Sequence, residues 1–208
     1  MTKSDARGVT TTYGVDDLNR VAAKQYSDGT PAVTSCFDGD QKAHTVSRGA
    51  GALAKTVSWT CVGAPAGTYV KTRLTQVSTA ASSSVSGTAT TVQFPNYDAL
   101  GRVLASSSTI NGAASYNFSA YSYNLAGVLT GMTYPSGHQI SYGLDSVGRP
   151  VSVSNPSTSY TYAQNATFWP SGALNTIGLG FTNTTAAFTE THTYDSRLRQ
   201  TGVTVAGL

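Results

Sequence analysis

Apolar and polar residues alternate along most of this 208-residue chain, with the period of two that belongs to strands. Val151 and Val153 alternate with Ser152 and Ser154. The stretches Thr56-Val57-Ser58-Trp59-Thr60-Cys61-Val62 and Thr201-Gly202-Val203-Thr204-Val205 repeat the pattern. From Tyr116 to Tyr123 the alternation predicts one strand, with Tyr116, Phe118, Ala120 and Ser122 on one face and Tyr121 and Tyr123 on the other. The nearest helix candidate, GAGALAK at 49–55, is short and broken by glycine. The polar stretch 78–91 reads either as a loop or as a weak pair of strands about a turn at Ser86-Gly87.

The strands are punctuated by two recurring phrases. The first is Tyr97-Asp98-Ala99-Leu100-Gly101-Arg102, found again as Leu144-Asp145-Ser146-Val147-Gly148-Arg149. Eroded copies are Tyr123-Asn124-Leu125-Ala126-Gly127-Val128, Tyr194-Asp195-Ser196-Arg197-Leu198-Arg199, and Val15-Asp16-Asp17-Leu18-Asn19-Arg20. Phe37-Asp38-Gly39 reads as the start of one more. The Asp or Asn position advances by 22 residues from Asp16 to Asp38, 26 from Asp98 to Asn124 and 21 from Asn124 to Asp145, about one hairpin with its connection. The second phrase is Tyr26-Ser27-Asp28-Gly29, Tyr134-Pro135-Ser136-Gly137 and Trp169-Pro170-Ser171-Gly172.

Both phrases have a turn chemistry. The Asp accepts hydrogen bonds from the N–H groups that follow it. The Gly supplies the positive φ of a type I turn with a G1 bulge, and Asn19 is the next best residue there. In the second phrase Pro fixes φ and Gly takes the left-handed position.

Composition agrees with strands and turns. Charged residues are 11% of the chain, against ~25% in ordinary soluble domains. The 13 basic residues are scattered and the net charge is +3, which argues against a nucleic-acid partner. No apolar run is long enough to span a membrane, and the N-terminus has no signal-peptide core, so if the protein is exported its signal lies elsewhere or is missing. Cys36 and Cys61 fit no zinc spacing, and the sequence leaves open a cross-strand disulfide or two buried thiols.

Candidate chemistry is sparse. His44, His138 and His192 fall in strand-like stretches outside any catalytic or metal motif, and read as wall residues. Asp38-Gly39-Asp40 begins like a calcium loop, but Lys42 and His44 follow where oxygens are needed, so turn residues are the better reading. There is no nucleophile elbow or phosphate loop. The densest aromatic group includes Tyr121, Tyr123, Tyr142, Tyr160, Tyr162, Phe168 and Trp169; such rings form cross-strand ladders or, when exposed, stack on sugars. Three glycosylation sequons begin at Asn117, Asn165 and Asn183.

The repeated phrases, their interleaving and their spacing resemble the RHS/YD-repeat proteins. The clearest matches are Tyr97, Asp98, Gly101 and Arg102, then Asp145, Gly148 and Arg149. Asp16, Asn19, Arg20, Tyr123, Asn124, Gly127, Tyr194 and Asp195 are the eroded matches. The resemblance runs over residues 1–208 and is most degenerate at 39–92, with no separate catalytic domain. It implies an all-β fold of successive antiparallel hairpins in a curved, coiled sheet, part of an RHS-type shell. In this family such shells belong to very large exported or cell-surface proteins. Some, in insecticidal toxin complexes and bacterial polymorphic toxins, enclose a C-terminal toxin; others, such as the teneurins, act in adhesion.

The chain departs from a full member. It is too short to close a shell, lacks the Asp-Pro-rich boundary motif, and carries no toxin domain, so it reads as a segment from the middle of such a protein, a truncated reading frame or a decayed remnant. The expectations are therefore a non-enzymatic structural repeat with no cofactor or metal, secreted or at the cell surface. Its partners would be the remainder of a larger RHS polypeptide and a toxin cargo. The alternative is a carbohydrate- or protein-binding adhesion module, with Tyr121, Tyr123 and Trp169 stacking on a surface glycan. A free segment has open sheet edges and is expected to self-associate.

Overall fold

The computed structural model describes residues 1–51, 54–81, 88–110, 112–158, 160–181 and 185–207. The expected turn at Ser86-Gly87, and Asn183 and Thr184 of the third sequon, lie outside them, as do residues 52 and 53 of the helix candidate. Among the described residues there is no α-helix, and the chain is all-β. It divides into two compact units, Met1–Ser119 and Ala120–Leu208.

The first unit holds β1 (Thr2–Ser4), β2 (Thr10–Val15), β3 (Val21–Tyr26), β4 (Val33–Phe37), β5 (Ala43–Arg48), β6 (Lys55–Thr60), β7 (Leu74–Thr79), β8 (Thr90–Tyr97), β9 (Val103–Ile110) and β10 (Tyr116–Phe118). Eight of them form an antiparallel sheet in the order β1-β2-β3-β4-β7-β8-β9-β10, while among the described residues β5 and β6 pair only with each other. The chain leaves the sheet after Phe37 and re-enters opposite it at Leu74. The stretch most degenerate in the repeat, 39–92, thus contains an inserted hairpin, which packs on β2 and β3.

That packing makes the core of this unit. Ala22, Ala23 and Cys36 from the sheet meet Val57, Trp59, Cys61 and Ala64 from the insertion, and Val46 packs at their side. Gly14 leaves room for the Trp59 ring. Cys36 and Cys61 form a disulfide with a Cα–Cα distance of 5.6 Å, and both residues are 1% exposed. Of the two readings the sequence left open, the bonded one holds.

The second unit is a meander of eight strands in chain order: β11 (Ala120–Tyr123), β12 (Leu129–Thr133), β13 (Gln139–Leu144), β14 (Pro150–Asn155), β15 (Tyr160–Phe168), β16 (Leu174–Leu179), β17 (Phe188–Tyr194) and β18 (Gln200–Ala206). Its strands are mostly half-buried. Phe181, 3% exposed, lies over Gly178, where a Cβ would stand 2.8 Å from its ring.

One expectation is corrected. The single strand predicted from Tyr116 to Tyr123 is broken at Ser119: β10 pairs with β9 and β11 with β12, in different sheets. Alternation alone does not say which neighbour a strand pairs with. Phe37-Asp38-Gly39 does begin a further copy, with the insertion looped out of its turn: the Asp38 N–H donates to the Arg73 carbonyl at 2.9 Å, Thr72 before that arginine has φ 64, and the ladder slips at Cys36/Phe37 where Phe37 faces Leu74. Asp38 itself has φ 63 and its carboxylate serves the base of the insertion, accepting from Arg20 and from the Thr72 N–H. Residues 78–91 include the ends of paired strands, with Thr79 opposite Thr90.

Candidate functional site

The repeated phrase builds one turn, six times over among the described residues. In each copy the N–H of the Asp or Asn donates to the carbonyl four residues on, and the N–H three residues on donates back to its carbonyl. These bonds are 3.0 and 3.0 Å at Asp16, 2.9 and 2.9 Å at Asp98, 3.0 and 3.0 Å at Asn124, 2.9 and 3.1 Å at Asp145, and 2.9 and 2.9 Å at Asp195. The fourth position has φ 59 at Asn19, 85 at Gly101, 85 at Gly127, 86 at Gly148 and 62 at Leu198. The ladders slip by one residue beside the turns, at Gly14/Val15, Ser122/Tyr123, Gly143/Leu144 and Thr193/Tyr194, which is the expected bulge.

The sixth copy, Asp5-Ala6-Arg7-Gly8-Val9, was missed in the sequence. It closes with the same bonds, both 3.0 Å, and Gly8 has φ 82. An Asp followed by Gly three positions later was the available signal, obscured because its Arg precedes the Gly. The turns at Tyr134 and Trp169 have the same closure, 2.8 and 2.9 Å and 2.8 and 2.8 Å, with the aromatic residue in the place of Asp. The two phrases are thus one turn in two spellings.

The Asp carboxylate organises the turn. One oxygen of Asp145 accepts from the Val147 and Arg149 N–H groups at 3.0 and 2.9 Å, and the other from Arg149 Nε at 2.7 Å. Asp16, Asp98 and Asp195 do the same for Arg20, Arg102 and Arg199. The N–H of the arginine, and then its side chain, hold the carboxyls of Asp98, Asp145 and Asp195 below the ordinary value. Two of these arginines reach forward. Arg149 lies 4.3 Å over the centroid of Phe168 and Arg20 lies 4.2 Å over Phe37, so a turn grips the aromatic that precedes a later one.

The candidate ligand-stacking rings are not brought together. Tyr121 and Tyr123 are half-buried on β11, opposite Met132 and Leu129. Trp169 is 43% exposed, its Nε1 donates to the His192 carbonyl at 3.4 Å, and it lines a notch with Pro170, Tyr194 and Leu198. Tyr160 and Tyr162 form a ladder with centroids 4.9 Å apart, and His138 contacts Tyr162 through Nε2.

Two histidines have carboxylate partners the sequence did not reveal. His192 Nε2 lies 2.6 Å from Glu190. His44 is paired with Asp40 and stacks on Trp59 at 5.1 Å and 15°. This second group borders a pocket of about 230 Å³ between the Asp16–Arg20 turn and the inserted hairpin. Asp16, Asp17, Asp38 and Asp40 line it with Arg20, over a floor that includes Trp59 and Cys61. The carboxyl of Asp38 is lowered, first by the Arg20 side chain. Arg20 Nη1 is buried without a hydrogen-bond partner, and the guanidinium lies against the face of Phe37. Among the described residues no group of His, Cys, Asp and Glu has the arrangement of a metal site.

The sequence matches no protein-family model and no curated protein. Solved structures do match. The crystal structure of TcdB2-TccC3 aligns with 99% of this chain at 13% identity and a TM-score of 0.63. The structure of TcdB2-TccC3 without its hypervariable C-terminal region aligns with 94% at 12% identity and a TM-score of 0.53. In each case the aligned part is 10% of the other chain, so this chain spans about a tenth of its length. At such identities the likeness speaks for the backbone alone, and there it agrees with the YD-repeat resemblance: this chain has the β-hairpin fold of a segment of TcdB2-TccC3.

Proposed function

We propose that this chain is a non-catalytic wall segment of a large RHS-type protein whose shell encloses a cargo such as a C-terminal toxin. The observation that carries the reading is the match of nearly the whole chain to a tenth of TcdB2-TccC3. The turn chemistry supports it. Each Asp–Arg pair is spent on closing its own turn, and Arg20 and Arg149 also bind the next aromatic, so these repeated residues are accounted for by holding hairpins in register. The partner of first importance is then the rest of the same polypeptide. The buried Cys36–Cys61 bond supports a secreted or cell-surface location, since such bonds persist in oxidising compartments.

The test is the intact mass of the native polypeptide that carries this segment, captured by antibody from source cells and medium. A polypeptide several times larger than 21.5 kDa, with a protease-resistant cargo released only on denaturation, is the expected result. A free chain of 21.5 kDa overturns the shell reading.

A further inference from the structure

Arg20 and Arg149 make the same contact, one in each unit of the chain. Each follows its turn directly and stands at the head of a return strand, β3 or β14. Each lies over the ring that ends the next strand, Phe37 on β4 and Phe168 on β15. That next strand runs antiparallel beside the return strand. The ring follows its arginine by 17 residues in the first case and 19 in the second.

Arg199 holds the same place at the head of β18. Its guanidinium is fixed as theirs are: Nε donates to Asp195 at 2.8 Å, against 2.6 Å at Arg20 and 2.7 Å at Arg149. It differs in what covers it. Its side chain is 71% exposed, against 23% for Arg20 and 41% for Arg149, and among the described residues no ring lies over it. The strand beside it is open too. Among the described residues β18 pairs only with β17, and Gly202 alone of its seven residues is half-buried, the others being exposed. An unpaired strand edge and an uncovered guanidinium at its head thus coincide.

We propose that β18 is the joint at which this chain takes the next strand of the larger polypeptide, and that this strand ends in an aromatic residue lying over Arg199. The inference rests on the wall reading and adds to it the place and the register of the joint. A strand entering antiparallel to β18 brings its last residue beside Arg199, as β4 brings Phe37 beside Arg20. The backbone edge supplies hydrogen bonds to any extended segment. It does not fix where the segment stops, because a slip of two residues keeps every side chain on its face. The cation–π contact fixes it. The polypeptide is therefore expected to carry Phe, Tyr or Trp 17 to 19 residues after Arg199, directly before a turn.

The experiment uses the full 208-residue chain and a fluorescent peptide copied from residues 160–170, the strand that Arg149 holds. Anisotropy measures affinity, and amide exchange locates the peptide. Binding is expected, with slowed exchange over Thr201–Ala206. Arg199→Gln in the chain, or Phe168→Ala in the peptide, is expected to weaken it about fivefold, and the two together no more than either alone. Arg197→Gln removes the neighbouring charge and is expected to leave binding unchanged. Melting curves establish that each variant is folded, and the peptide variant tests the contact without altering the chain. No binding, binding without protection of β18, equal affinity for the two peptides, or an equal loss in Arg197→Gln and Arg199→Gln overturns the proposal. So does a large parent polypeptide with no aromatic residue at that spacing, a result that leaves the wall reading standing. A free chain of 21.5 kDa instead removes the wall reading itself.

Discussion

Gly14 and Trp59 occupy one space: a Cβ on Gly14 would stand 2.9 Å from Cζ3 of the Trp59 ring. The ring is 6% exposed and rests on the bare backbone of β2, which is how a hairpin folds flat onto a sheet. Gly14→Ala is expected to destabilise the chain by ~1–3 kcal/mol through overpacking. Urea unfolding followed by tryptophan fluorescence measures it. An unchanged midpoint would mean that the insertion is not seated on the sheet.

The turn copies predict opposite effects at one position. Leu198 has φ 62 and is 64% exposed, so it bears the left-handed strain with little packing in return. Leu198→Gly is expected to stabilise by ~1 kcal/mol. At Gly101 φ is 85 and a Cβ would lie 2.0 Å from the Arg73 guanidinium carbon, so Gly101→Ala both strains the turn and displaces Arg73. It is expected to cost ~1–3 kcal/mol. Thermal melts of the two variants should move in opposite directions.

Much of this was legible in the sequence, because a turn is a local device. Asp98 and Gly101 sit three residues apart, and their hydrogen bonds need no distant partner. The pairing of Cys36 with Cys61, and of His44 with Asp40 over Trp59, was not legible. Each depends on the 40–70 segment leaving the sheet and folding back, which no periodicity records. Alternation misled at Ser119 for a related reason: it reports the faces of a strand and is silent about its neighbours.

The disulfide closes a loop across a sequence separation of 25, and chain entropy alone assigns it about 3–4 kcal/mol. Both cysteines are 1% exposed, so a thiol reductant must wait for the insertion to open. Alkylation after dithiothreitol, followed by mass spectrometry across a urea series, should show protection in water and loss of protection at the unfolding midpoint. Prompt reduction in water would contradict the buried, structural role.

Acid should weaken the turns. The carboxyls of Asp98, Asp145 and Asp195 are lowered in the folded chain, chiefly by the N–H groups of Arg102, Arg149 and Arg199. A lowered folded value means the unfolded chain binds the proton more tightly. The stabilisation is therefore complete above the unfolded value near ~3.9 and is lost as pH falls through the folded values. The melting temperature should fall below about pH 4, and Asp145→Asn should reduce that fall; parallel curves would remove Asp145 from the effect.

The open edges give the last prediction. Among the described residues β18 pairs only with β17, and its Val203 and Val205 are 45% and 48% exposed. An unpaired strand carrying valines offers N–H and carbonyl groups to any extended chain beside it. The free 208-residue chain is expected to self-associate in sedimentation velocity at micromolar concentration. Val203→Lys with Val205→Lys places charge on that strand and should shift the distribution toward monomer, as lysines on natural edge strands do. If association persists unchanged in the double variant, β18 is not the edge responsible, and β1, which among the described residues pairs only with β2, becomes the strand to charge next.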